Sequence, residues 1–328
     1  MSTFFNDIEE LRDVISVPSS LDLSILTPDL VKVQEGELKS ILGVATLNLA
    51  LQDYTTNNSA VYGDLIKHCQ RVSGALAFYN ALPVLNVIIT NGGLQQNAAT
   101  DGTEAATMWR TRDFQNKLLK DIGVYYDQLL SYLDENESSV NLAQYLLSAE
   151  RKNWKSSFIY SPKQASKYVS TKLNYYTLYT MAATIDRISR KYIKELVCSE
   201  LYTDLIEKNR TRTVWGVYEP LRELIEEAVI NLSLAAAVPE LRMAFDEEGA
   251  GLLFNRVEKS GNSSSTDEPA IYKAITLWNA NGSYALSQLK KELKNNVTDY
   301  PLYESSLCNT SPTERKAFNA SGSVGSFI

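Results

Sequence analysis

Hydrophobic positions along the chain recur at three- and four-residue intervals, the period of a helix with one buried face. Leu38, Ile41, Leu42, Ala45 and Leu49 follow that spacing. Leu118, Ile122, Tyr125, Tyr126, Leu129, Leu130 and Leu133 follow it for longer and stop at the polar run 134–139. Ile185, Ile188, Tyr192, Ile193 and Leu196 form a third stripe, and Leu221, Leu224, Ile225, Ala228, Leu232 and Ala235 a fourth. The fourth is entered through Glu219-Pro220, since a first turn has no use for the N–H that proline lacks. Glu223, Glu226 and Glu227 lie early in it, where the helix dipole favours negative charge. No sustained apolar–polar alternation occurs. Val87-Ile88-Ile89 before Asn91-Gly92-Gly93 reads equally as a short strand or as a helix end closed by glycine. The pattern predicts a mainly α fold of helical bundle units.

Those units occur twice. In the first half a helix runs through Ala75, Ala77 and Ala81 to Leu82-Pro83-Val84-Leu85 and reaches Asn91-Gly92-Gly93. In the second, a helix runs through Leu224-Ile225 and Ala235–Ala237 to Val238-Pro239-Glu240-Leu241 and reaches Gly249-Ala250-Gly251. Leu47 and Leu51 have counterparts in Leu201 and Leu205, and Leu129, Leu133 and Asn136 in Leu289, Leu293 and Asn296. The offset changes little across these landmarks, which favours duplication. The expected organisation is an N-terminal segment over 1–14, a helical unit over 15–140 and a connecting segment over 141–164 containing Trp154, Phe158 and Tyr160. A second unit over 165–300 and an extended polar tail over 301–328 follow, the tail having too little apolar surface to fold alone.

Composition narrows the chemistry. The 328 residues carry 32 Lys and Arg against 39 Asp and Glu, a net charge of −7, which disfavours broad binding along a phosphate backbone. Three distant cysteines, Cys69, Cys198 and Cys308, make neither a disulfide scaffold nor a zinc ribbon. One histidine, His68, leaves no multi-histidine metal site and little histidine catalysis. The N-terminus has no basic region or long apolar run, and stretches such as 84–89 and 232–238 fall far short of the ~20 residues that span a bilayer. A reducing cytoplasm, or something assembled there, is the expected setting.

Among candidate sites, His68-Cys69 are adjacent and on a helix point about 100° apart, so they read as a surface histidine beside a core cysteine. The acidic runs 246–248 and Glu226-Glu227 read as solvated helix ends rather than cation ligands. Asn91-Gly92-Gly93 and Gly249-Ala250-Gly251 read as turn punctuation, since no GK[ST] follows either. Arg187, Arg190, Lys191 and Lys194 read as a solvated basic face. The 19 tyrosines stand out, especially Tyr125-Tyr126, Tyr168, Tyr175-Tyr176 and Tyr179. Tyrosine and tryptophan are favoured at protein contacts, so Tyr175, Tyr176, Tyr179 and Trp154 are candidate interface residues. No catalytic residue, metal or cofactor is expected.

Four blocks carry a resemblance: the opening Phe5-Asn6-Asp7-Ile8-Glu9-Glu10-Leu11, the block 75–93, the helix from Trp109-Arg110 to Asn136, and the segment 154–160 from Trp154 to Tyr160. Together they resemble the head–tail connector (adaptor) proteins of tailed phages. The likeness is greatest to the long, duplicated type of phages and prophages of gut Bacteroidetes, including the crAss-like group. It covers most of the chain to about residue 300, with no short diagnostic motif. The resemblance implies a non-enzymatic structural virion protein forming a ring, typically dodecameric, between portal and tail. Its partners would be other copies of the chain, the portal protein and a tail or further ring protein. It would be assembled in the host cytoplasm, without membrane attachment, and genomic DNA would pass through its channel without specific binding. Phe327 and Ile328, closing the tail, are candidates for docking on a neighbouring subunit. The alternative is a non-enzymatic cytoplasmic α-helical scaffold or adaptor of another assembly, such as a tail-completion or assembly factor.

Overall fold

Asp7 accepts hydrogen bonds from the backbone N–H groups of Glu9 and Glu10 at 2.9 and 3.0 Å and so starts α1 (Ile8–Val14). Asp22 starts α2 (Leu23–Val33) in the same way, and that helix continues through a π-helical turn, Gln34–Leu38, into α3 (Lys39–Leu42). Gly43 then reverses the chain into α4 (Val44–Thr55), and α5 (Gly63–Leu85) follows. A hairpin of β1 (Val87–Thr90) and β2 (Gly93–Gln96) leads to α6 (Met108–Glu135). The computed structural model describes residues 3–17, 21–56, 61–85, 87–90, 93–96, 108–241, 243–246, 249–252 and 267–306.

Three short helices follow: α7 (Ala143–Leu147), α8 (Ala149–Lys155) and α9 (Pro162–Ala165), the last opened by a reciprocal capping box between Ser161 and Gln164. The opening order of helices then returns. After α10 (Tyr175–Thr180) and α11 (Ala182–Ile188) comes a second π-helical turn, Ser189–Ile193, and then α12 (Lys194–Val197). Cys198 reverses the chain into α13 (Ser199–Thr211), and α14 (Glu219–Glu240) follows. A hairpin of β3 (Met243–Asp246) and β4 (Gly249–Leu252) precedes α15 (Asp267–Asn295) and α16 (Pro301–Glu304).

The backbone therefore carries the duplication. π-Helical residues make up well under 1 % of ordinary structure. Here one such turn recurs 155 positions after the other. The residue closing the following short helix adopts φ 75°, ψ 159° at Gly43 and φ 71°, ψ 163° at Cys198. That region is nearly restricted to glycine and costs other residues about 1–3 kcal/mol. The first half thus meets the reversal with glycine, whereas the second holds a side chain there. A Cβ on Gly43 would also lie 2.7 Å from Glu150 Oε2 and 3.1 Å from Ser148 Cβ. Gly43→Ala should accordingly lower stability by about 2 kcal/mol, read from denaturant midpoints; an unchanged midpoint would show that the turn stores no strain.

Each hairpin pairs antiparallel, Val87 with Gln96 through Thr90 with Gly93, and Met243 with Leu252 through Asp246 with Gly249. Val87–Ile89, legible either way in the sequence, are strand residues. Gly249-Ala250-Gly251 correct the reading as turn punctuation, because they are paired along β4. A four-residue strand rich in glycine has no alternation to display, and its partner strand fixes its conformation.

Two buried clusters fill the interior, one from Phe4 to Trp154 and one from Phe158 to Tyr303. Residues 1–14 are not separate from the first, because Phe4, Phe5 and Leu11 are buried in it. At about 1.5–3 kcal/mol per buried large side chain, these three anchor the N-terminal segment firmly. Nor does the tail begin at 301: Tyr300 and Tyr303 are buried in the second cluster and Ser306 is covered. Within that cluster α14 and α15 approach so closely that a Cβ on Gly282 would sit 2.6 Å from Leu232 Cγ. Residues 307–328, with Phe327 and Ile328, lie outside the described residues. No described helix is long and apolar enough to cross a membrane.

Candidate functional site

The halves meet at a joint that is aromatic on one side and ionic on the other. Tyr175, Tyr176 and Tyr179, on one face of α10, pack against the first cluster. Tyr176 stacks on Tyr126 of α6 with centroids 4.8 Å apart and planes 19° apart. The edges of Tyr175 and Tyr179 meet Trp154 at 6.2 and 6.4 Å, the edge-to-face geometry that aromatic quadrupoles favour. Asn174 caps α10 by accepting from Thr177 N at 2.8 Å, and Asp127 of α6 accepts from Tyr175 N at 2.6 Å. One helix start is thereby fixed to the other half.

On the ionic side, the end of α6 supplies Asp134 and the turn after it Glu137. Lys155, at the end of α8 and 0 % exposed, bonds Asp134 and lies 3.5 Å from Glu137 Oε2. Arg151, on the same helix, pairs with Glu137 and donates from Nη1 to the Arg210 carbonyl at 2.6 Å. Arg212 closes the group by pairing with Asp134 and, at 2.9 Å, with Glu137. It occupies the C-cap of α13 at φ 54°, a left-handed position usually given to glycine. Tyr175 Oη donates to Asp134 Oδ2 at 2.8 Å and joins the two sides.

Burial pulls the Lys155 ammonium down to about 7 against the opposing attraction of Asp134. Burial alone would raise Asp134, but Lys155, Tyr175 and Arg212 outweigh it and hold the carboxyl below its ordinary value. Asp134 therefore stays ionised, and Lys155 is the member that yields a proton. The Lys155 charge is also held over the Tyr160 ring at 3.9 Å and the Trp154 ring at 4.9 Å.

The aromatic candidates are thus brought together, but inside one chain. Trp154 is buried, and the three tyrosines of α10 are partly covered by the first half. Of the other tyrosines, Tyr168 donates to Glu226 Oε2 at 3.1 Å, and Tyr125 packs partly buried against the first cluster. His68 is half-buried and tilted over Tyr132, while burial raises the Cys69 thiol beside it. Glu226 is buried among Gln164, Tyr168 and Arg222, so it is not a solvated end. Arg187 and Arg190 pair with Glu240 and Asp186, and Lys191 lies over the Tyr192 ring. Glu247 and Glu248 of the acidic run lie outside the described residues. Among the described residues no three His, Cys, Asp or Glu side chains form a metal-holding group.

An outward apolar set was not singled out in the sequence. Along α15, Trp278, Ala285, Leu289 and Leu293 are buried, while Tyr272, Leu277 and Tyr284 are 64 %, 58 % and 63 % exposed. Leu277 and Tyr284 are seven residues apart and share a face distinct from the core stripe. The legible signal is large apolar residues off the i, i+4, i+7 stripe of a helix already supplied with one. The equivalent place on α6 holds Val124, also exposed.

Neither a curated protein nor a solved structure matches the chain. A family model, described as a family of unknown function (DUF6712), matches two segments, residues 38–153 and 193–313, which begin 155 positions apart like the two π-helical turns. Those segments cover most of the chain, which therefore belongs to the DUF6712 family.

Proposed function

We propose that this protein is a structural subunit of a phage head–tail connector ring, placed between portal and tail around a channel for the genome. The observation that carries the reading furthest is the uncovered apolar set Tyr272, Leu277 and Tyr284 on a helix whose opposite face is already buried. Large exposed aromatic and aliphatic side chains of this kind suit contact with another subunit. A ring requires a heterologous contact that closes by rotation, with one surface on each side of the subunit. The joint supports this by tying the two halves together with charge and aromatic contacts, so that the two sides of a subunit keep a fixed relation. The resemblance to connector proteins in the opening segment and the block 75–93 supplies the placement. The reading assigns no catalytic role to the chain, and no specific contact to the DNA.

Native mass spectrometry of the purified chain, alone and with portal protein, tests the proposal. Large discrete multiples of 36.7 kDa are expected, alone or on portal. Leu277→Asp with Tyr284→Asp should return the protein to monomer while leaving its helical signal intact. A monomer indifferent to portal would overturn the assembly reading.

A further inference from the structure

Beside the joint lies an open cleft of about 330 Å³. Its walls hold five cationic side chains, Lys163, Lys167, Lys208, Arg212 and Arg222, against one carboxylate, Asp134. They come from α9 and the turn after it, from α13 and its C-cap, and from α14. Such an imbalance is notable in a chain of net charge −7. Asp134 is engaged by Lys155 and Arg212, and Arg212 in turn by Asp134 and Glu137, so these groups largely neutralise one another. Arg222 is held by Glu226 at 2.8 Å and Glu219 at 3.3 Å, and Lys208 lies 3.7 Å from Asp204. Lys163 and Lys167 are exposed, four positions apart, and make no ion pair among the described residues.

We propose that this cleft binds a compact polyvalent phosphate, of the size of a diphosphate group, with Lys163 and Lys167 as its principal charge partners. Like charges gathered in a concave wall focus the potential and raise the local concentration of a counter-ion. Arginine forks and lysine ammonium groups are the side chains that neutralise phosphate oxygens. The small volume selects a compact anion and leaves no room for a duplex. The site is independent of the connector reading, because all of its residues belong to one chain.

Calorimetric titration of the full chain with inorganic pyrophosphate tests it, at low and at physiological salt. One saturable site is expected, weakening as salt rises. The double variant Lys163→Ala, Lys167→Ala should lose affinity about tenfold or more, since two charge-assisted contacts go. Its far-UV signal should be unchanged, because neither lysine holds the fold together. Lys191→Ala, on a different basic stretch, should bind as the wild type does. Absence of saturable binding, or equal affinity in the double variant, would overturn the site. Where binding is found, displacement of pyrophosphate by a short single-stranded oligonucleotide assigns the phosphate to a polymer, and its failure to compete assigns a free phosphate.

Discussion

Lys155→Met should lower the stability of the chain by about 3 kcal/mol, one of the two largest effects expected from a side chain at the joint. Methionine keeps most of the stem's volume, so the loss is that of the amine's contacts with Asp134 and Glu137 rather than of packing. Removing one member of a buried ion pair costs about 3–5 kcal/mol, because the partner remains buried without its counter-charge. Asp134 and Glu137 retain Arg212 and Arg151, which places the expectation at the lower end. A loss below about 1 kcal/mol would mean that the two arginines suffice and that Lys155 is replaceable.

The same residue gives the joint a pH dependence of definite sign. Burial holds Lys155 near about 7 in the folded chain, whereas the unfolded chain has an ordinary lysine. Between those values the unfolded state binds more protons, so stability rises with pH, by up to about 1.4 kcal/mol per unit. Below the folded value both states are protonated and this contribution is flat. Asp134 acts in the opposite range: its folded value is depressed, so its stabilisation is present above the ordinary carboxyl value and is lost in acid. Denaturant midpoints at pH 7, 8 and 9 should rise in the wild type relative to Lys155→Met. Parallel profiles would show that another group titrates.

Trp154→Ala should cost about 3–5 kcal/mol, as removal of a large buried aromatic does. It would take away the surface that receives the edges of both Tyr175 and Tyr179 and one of the two rings beside Lys155. The loss falls between the two clusters, since Trp154 belongs to the first and the tyrosines to the start of the second half. Calorimetry should therefore show the single transition broadening or dividing as the halves uncouple. Trp154→Phe, which keeps an aromatic face, should lose markedly less. An alanine variant within about 1 kcal/mol of the wild type would show that the joint is held by its ionic side alone.

The sites were legible to different degrees. The tyrosines announce themselves by number, yet the sequence does not distinguish a contact within the chain from one between chains. Tyr175 and Trp154 are 21 positions apart, and only the packing of α10 on α6 makes them neighbours. Asp134 and Arg212, 78 positions apart, read as the polar end of one helix and an ordinary charge after another. Their pairing depends on a left-handed backbone at Arg212 that no residue type there announces. The cleft was equally hidden, because its cations come from three separate stretches of the chain and the overall charge is negative.

What the sequence determined by itself is the local and repeated part. The stripes at 118–133 and 221–235 became α6 and α14, because burying one face of a helix requires apolar residues every three to four positions. The duplication survived as a nearly constant offset, because helices tolerate little insertion without rotating that face away from the core. Tertiary structure alone decided the strands, the joint and the uncovered row on α15. Four-residue strands gain their conformation from a partner, and ion pairs gain their strength from burial. Whether an apolar side chain is covered depends on what the rest of the chain places over it, which no local pattern encodes.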